Sequence, residues 1–225
     1  PYDDGIGNEL DERTHAAHAE QHQELYHRVL DTAELEFQRL GIRAVRMDDI
    51  AHQLKISKRT LYQIFPDKET LLLATTKRTF EREQQRYEAY LNTEGDILRL
   101  LFVVLENHLK HLEKISPIFF AELSRYPSVY EYVEEDKKRR FENVASFLKK
   151  GVEQGCFRTD IDFNLVSQVV QLNSQKTLNP LLLKNYTLTE IFINFVITYF
   201  RGCCTEKGIA MIDELLESYR TRNTK

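Results

Sequence analysis

Between Ser57 and Gln63 the chain gathers Ser57, Lys58, Arg59, Thr60, Tyr62 and Gln63, two hydroxyls, two cations, a phenol and a carboxamide. No nucleophile stands beside a base here, and no metal-ligand set is formed. What these side chains share is hydrogen-bond donation to oxygen, the chemistry that meets phosphates and base edges. Leu61, Ile64 and Phe65 interleave with them at helical spacing. A short helix over this stretch would therefore bury one side and turn the polar groups outward. Cationic near its N-terminus and held from beneath, such a helix suits the major groove of DNA.

The preceding residues supply the support. Met47, Ile50, Ala51 and Leu54 recur at i, i+3, i+4 and i+7, the spacing that puts apolar groups on one helical face. Asp48 and Asp49 fall in the first turn, where carboxylates favour the positive end of the helix dipole. Lys55, Ile56 and Ser57 break the period, and Ser57 is placed to cap the second helix through its hydroxyl. Pro66 ends that helix.

The run from Val45 to Leu72, VRMDDIAHQLKISKRTLYQIFPDKETLL, resembles the helix-turn-helix of the TetR family of bacterial transcription regulators. The matching elements are Asp49-Ile50-Ala51, the Ser-x-x-x-Leu-Tyr-x-x-Phe pattern from Ser57 to Phe65, and Lys-x-x-Leu-Leu from Lys68 to Leu72. The family usually has Gly where this chain has Lys55, and a Thr or Ser cap where it has Arg46. A left-handed Lys55 would cost about 1 kcal/mol relative to Gly. Arg46 loses a cap and becomes available to a phosphate. In the family the helix after the motif starts against a phosphate, and Lys68 matches that place. The resemblance implies a homodimeric regulator, more often a repressor, on a palindromic operator. DNA contacts would come from Arg46, Ser57, Lys58, Arg59, Thr60, Tyr62, Gln63 and Lys68.

Composition sets outer bounds. At 225 residues, with 42% hydrophobic and 29% charged residues, the chain is that of a globular protein with one large core or two modest ones. Net charge is −4, yet residues 41–68 carry Arg43, Arg46, Lys55, Lys58, Arg59 and Lys68 against Asp48, Asp49 and Asp67. A basic patch on an acidic body is a footprint for docking one face on DNA. The longest apolar run, Leu100 to Leu105, is too short for a bilayer, and the first residues are acidic where a secretory segment would be basic. No membrane partner and a cytoplasmic location are expected. Cys156, Cys203 and Cys204 imply no disulfide framework.

The sequence pattern is helical throughout, without strand alternation, so an all-α fold is expected. A polar arm, loose or partly helical, would occupy residues 1–20, a DNA-binding head 21–66, and an effector-binding and dimerisation body 67–225. The first head helix is read from Glu24 to Leu40, closed by Gly41. His15, His18 and His22 share a helical spacing, but as exposed residues without neighbouring Cys they are read as solvated, with no metal site. Body helices are read over 67–91, 97–115, 117–126 and from 127 to about 154, then from Asp162, with a break at Asn179-Pro180, from Thr187 through Phe200, and from Thr205.

The resembling family commonly encloses an effector cavity among the helices between 67 and about 154. Phe102, His108, Phe119, Phe120, Tyr126 and Tyr130 are the candidates, with His111 weighed beside His108. The aromatic Ile191–Phe200 segment reads as a subunit contact through Phe192, Phe195, Val196, Tyr199 and Phe200. No cofactor is expected. No phosphate loop, nucleophile elbow, His-Glu-x-x-His or Cys-x-x-Cys occurs, so an enzyme is not the expectation. The rival readings are a regulator controlled by abundance or a protein partner, and a helical enzyme or carrier with a vestigial helix-turn-helix.

Overall fold

The computed structural model describes residues 5–91, 95–166, 168–169 and 185–223. Its described elements are helical: α1 (Gly5–Leu40), α2 (Met47–Gln53), α3 (Lys58–Ile64), α4 (Lys68–Leu91), α5 (Ile97–Leu112), α6 (Pro117–Leu123) and α7 (Pro127–Glu153). After helical residues at 163–166 come α8 (Leu188–Ile191), a π-helical stretch (Phe192–Ile197), α9 (Thr198–Cys203) and α10 (Glu206–Asn223). Among the described residues the β pairing is a single antiparallel bridge, Phe157 to Cys204. The expected break at Asn179-Pro180 lies outside the described residues.

Two apolar cores divide the molecule. The first joins Val29, Ala33 and Phe37 of α1, Ile50 and Ala51 of α2, Leu61 of α3, and Leu71 and Leu72 of α4, with Val129 of α7 reaching in. The second joins Ile97, Leu98 and Phe102 of α5, Phe147 of α7, Phe157, Cys204, and Ile212 of α10. Because α4 contributes its first turns to the head core, the packing runs past the expected boundary at residue 66.

α1 is 36 residues long, where the sequence shows an apolar stripe only from about Glu24. Its upstream residues include Glu, Ala and Gln, strong helix formers, and intrinsic propensity favours continuing the helix beyond that stripe. The residues expected as a loose or partly helical arm are thus helical from Gly5. At the other end Gly41 takes φ +86° and its N–H donates to the Phe37 carbonyl at 3.0 Å. A Cβ there would come within 2.7 Å of Ile118 Cγ2.

The α2–α3 turn is a Schellman closure. The Ile56 N–H donates to the Ala51 carbonyl and the Lys55 N–H to the His52 carbonyl, each at 3.0 Å. Lys55 sits at φ +56°, the left-handed state that the turn requires and that Gly reaches without strain.

α4 is fastened to α1 through Glu34, whose carboxylate accepts from Arg78 Nη2 at 2.9 Å, Arg82 Nη2 at 2.6 Å and Thr79 Oγ1 at 2.9 Å. α6 is fastened to the same end of the head. The Ser116 N–H donates to the Gln38 carbonyl at 2.7 Å, and Glu122 Oε2 accepts from the Arg43 N–H at 2.8 Å. Glu69 of α4 accepts from both the N–H and the hydroxyl of Ser128 at the start of α7, at 2.9 and 2.7 Å.

In the body, the caps expected from the sequence form. Asp96 accepts from the Leu98 N–H at 3.0 Å, and Thr187 and Glu190 exchange hydrogen bonds at 2.8 and 3.1 Å. Phe157 is wedged against Gly151, where a Cβ would lie 2.2 Å from its ring. Cys156, Cys203 and Cys204 are buried free thiols, and burial pushes the Cys204 thiol up to about 11. Such thiols are packing groups rather than nucleophiles.

Two substitutions of opposite sign check the turn geometry. Lys55→Gly should raise stability by about 0.5–1 kcal/mol and Gly41→Ala should lower it by more than that, both read as shifts in the denaturant midpoint. A Lys55→Gly protein no more stable than the parent contradicts the left-handed assignment.

Candidate nucleic-acid interface

α3 is built from both ends. At its start Ser57 Oγ accepts the Thr60 N–H at 3.0 Å and lies 2.7 Å from Thr60 Oγ1, so both hydroxyls of the expected contact set are used in shaping the helix. At its end the Phe65 N–H donates to the Leu61 carbonyl at 2.9 Å before Pro66 stops the ladder. Leu61 is fully buried, Phe65 is 3% exposed, and the Phe65 ring stacks on Tyr26 of α1 at 5.2 Å. Ile64 is half-buried against the same core. The underside expected from the spacing is therefore in place.

The opposite face is open. Lys58, Arg59, Tyr62 and Gln63 are exposed, Tyr62 at 45%, while Thr60 is half-buried. Lys58 Nζ donates to Asp48 Oδ2 of α2 at 2.5 Å, and that bond holds the ammonium above the usual lysine range. Lys58 is thus shared between α2 and the outer face. Arg46 precedes α2 and is exposed; its N–H donates to Asp49 Oδ2 at 3.3 Å. Its guanidinium has no acceptor with which to cap the helix and faces solvent with the α3 cations.

Lys68 is placed differently from expectation. Its ammonium turns inward and donates to the Val45 carbonyl at 2.8 Å and the Ile42 carbonyl at 3.1 Å. Desolvation pushes it below the usual lysine range. The chain between α1 and α2 folds back over the start of α4, leaving carbonyls that no helix satisfies, and Lys68 satisfies them. It is a clamp inside the head. The start of α4 is itself capped by Asp67, whose Oδ1 accepts the Thr70 N–H at 2.7 Å.

The body holds a cavity of about 350 Å³ between α4, α5, α7 and α9. Leu101, Val104 and Leu105 of α5, with Phe147 and Phe200, form its apolar wall; Tyr87 and Tyr90 face it from α4. Of the expected helices, 67–91, 97–115 and the long one after Pro127 contribute to its wall and 117–126 does not, and of the described candidate side chains Phe102, Phe119, Phe120, Tyr126 and Tyr130 do not line it. Phe102 is in the body core. Phe119 and Tyr126 pack on the head core, Phe120 meets Phe119 edge-on at 5.6 Å, and Tyr130 is exposed. The His108 side chain lies outside the described ones, whereas His111 lines the cavity. Aromatic character was the guide to those candidates, and it does not report which helix face meets a void.

For the expected subunit contact, the side chains of Phe192, Phe195 and Val196 lie outside the described ones. Tyr199 is half-buried, and Phe200 turns inward, 6.4 Å from Phe157 and on the cavity wall. Leu165 is 60% exposed and Val169 37%, one helical turn apart. Among the described residues no three or more His, Cys, Asp or Glu side chains are grouped to hold a metal ion, and no helix is long and apolar enough to cross a membrane.

Comparison with known proteins agrees with this geometry. Residues 29–75 match the family model described as bacterial regulatory proteins, tetR family. Over 152 residues the chain is 26% identical to the HTH-type transcriptional repressor KstR2 of Mycobacterium tuberculosis, covering 64% of this chain and 74% of that one. It is 27% identical over 135 residues to the HTH-type transcriptional regulator YvkB of Bacillus subtilis, covering 59% and 70%. The solved structure of the ketosteroid transcriptional regulator KstR2 of M. tuberculosis superposes with a TM-score of 0.56 at 22% identity over 80% of this chain and 95% of the other. The transcriptional regulator FadR of B. subtilis, solved with stearoyl-CoA, gives 0.56 at 18% over 74% and 92%. These proteins are regulators, not enzymes.

The inward Lys68 separates two roles in one experiment. Lys68→Gln should lower the stability of the head by about 1–2 kcal/mol by orphaning carbonyls while leaving the salt dependence of DNA binding unchanged. Arg46→Ala should leave stability alone and reduce that slope by about 1.

Proposed function

We propose, from the premise that this chain is a tetR-family transcriptional regulator, that it is a homodimeric repressor whose α3 enters the DNA major groove and whose hold on a palindromic operator is released by a small molecule in the body cavity. The observation that carries the DNA reading is the two-sidedness of α3: Leu61 and Phe65 are sealed beneath while Arg59, Tyr62 and Gln63 stand in solvent. Arg59 and Gln63 lie four residues apart and share a face. Guanidinium and carboxamide are the groups that pair bidentately with guanine and adenine edges. Lys58, Tyr62, Ser57, Thr60 and Arg46 then stand where the flanking phosphates pass, and these contacts set register rather than sequence.

A seven-residue recognition helix reads a few base pairs. Two copies, about 34–36 Å apart or a multiple of that, would read a palindrome. The exposed Leu165 and Val169, and the aromatic composition of the Ile191–Phe200 segment, support a second copy as the partner. The head is assigned to residues 21–66 and the body to 67–225, with α4 serving both.

Release by an effector is supported by the cavity and by its place along α4. Leu71 and Leu72 of this helix belong to the head core, and Tyr87 and Tyr90 further along it line the cavity. KstR2 is described as a ketosteroid regulator and FadR was solved with stearoyl-CoA, so an apolar effector is in keeping with relatives of this shape.

Operator fragments selected from genomic DNA give the test. Arg59→Ala and Gln63→Ala should each weaken binding about tenfold to hundredfold and relax preference at distinct positions, with unchanged thermal unfolding. Two variants that bind the selected fragments as the parent does would overturn the assignment of α3.

A further inference from the structure

Taking the cavity as the effector site, and so resting on the reading above, we infer that its occupant is a small, uncharged, largely apolar molecule with one hydrogen-bonding oxygen, anchored by the Tyr87 hydroxyl and the His111 imidazole. Size comes first. At about 350 Å³ the cavity stands at the lower end of the roughly 300–1,000 Å³ usual for small-molecule sites. It holds a compact body or a medium chain, not a nucleotide-bearing conjugate.

The polar groups around it narrow the chemistry. Gln84 donates to Glu88 Oε1 at 2.7 Å, and Asn107 Nδ2 donates to the Tyr90 hydroxyl at 3.3 Å. Glu83 also has a partner, and Arg86 is exposed at the rim. Each of these is satisfied by the protein or by water. Tyr87 and His111 are both half-buried on the cavity wall, and among the described residues neither side chain has a hydrogen-bond partner. Desolvation pushes the Tyr87 phenol above its usual range, so at neutral pH it is a donor.

Half-buried on an apolar wall and unpaired within the described protein, these two groups are free to exchange water for a ligand oxygen. A ligand oxygen meets both: the phenol donates to a carbonyl or hydroxyl, and the His111 imidazole supplies a second hydrogen-bonding group on the same wall. A carboxylate fits less well. The wall is Leu101, Val104 and Leu105, Glu83 lines the α4 side, and the one cation among the described lining residues, Arg86, is exposed, so an anion against the apolar wall would be desolvated without a buried cation.

The probe is N-phenyl-1-naphthylamine, a neutral dye that fluoresces in apolar sites, displaced from the 225-residue protein by 2-undecanone, undecane or undecanoate. The ketone should displace it at the lowest concentration. Tyr87→Phe should weaken the ketone about three- to tenfold with dye affinity and thermal unfolding unchanged, and Val104→Trp should exclude dye and ketone together. Undecanoate binding tighter than the ketone, a ketone indifferent to Tyr87→Phe, or a wild-type protein that takes up no dye would each overturn the inference. Operator binding is measured on the same preparations: a protein that binds operator but not dye loses the ligand assignment and keeps its regulatory reading. A folded protein that takes up dye and ketone but selects no DNA loses the regulatory reading.

Discussion

The seating of Leu61 and Phe65 under α3 is the constraint on which the head depends. Two side chains removed from water at about 1.5–3 kcal/mol each hold a seven-residue helix that is too short to be stable alone. α1 provides the seat through Tyr26 and Val29, and α2 through Ile50 and Ala51. The direction of the outer side chains follows from this burial. Rotating α3 far enough to hide Arg59 would bring Leu61 into water, so the polar face is presented as a rigid set.

Rigidity then passes from the head into the body by polar fastening as much as by apolar packing. The Glu34 carboxylate gathers Arg78, Arg82 and Thr79 from α4. Lys68 gathers carbonyls from the α1–α2 connection. Ion pairs at the surface contribute little, but Glu34 and Arg78 are both largely buried, where losing one partner leaves a stranded charge. Head and early α4 therefore form one unit, while α6, through Glu122 and the close approach of Ile118 to Gly41, presses the body against its edge.

Much of this was legible in the residues because it is local. Ser57 and Asp96 as caps, Gly41 as a terminator and the left-handed Lys55 follow from chemistry within a few positions, and the apolar spacing of 47–65 reports its own buried side. What escaped depends on distance in sequence. Lys68 points inward because of carbonyls some 23 residues earlier at Val45. The cavity wall comes from faces of α4, α5, α7 and α9 whose periodicity is that of any core helix. α1 runs past its apolar stripe over residues that favour helix without a periodic apolar signal, and the π-helical turn at Phe192–Ile197 carries no pattern that separates it from an ordinary helix.

The charge distribution completes the physical case for a head-first encounter with DNA. Residues 41–68 hold six cations and three carboxylates in a chain whose net charge is −4, so everything outside that segment is more acidic than the whole. In the field of a polyanion such a molecule is oriented as well as attracted: the body is repelled and the α3 face is drawn in. Selectivity cannot come from this term, since every duplex offers the same phosphates. On the proposed reading it comes from the few exposed groups that the Leu61 and Phe65 seat holds still. α4, packed at one end into the head and lined at the other by the cavity, spans about 24 Å between Leu71 and Tyr87 at helical rise. On that reading, a ligand at Tyr87 and a duplex against α3 would act through opposite ends of the same rod, which is the coupling that reciprocal linkage requires.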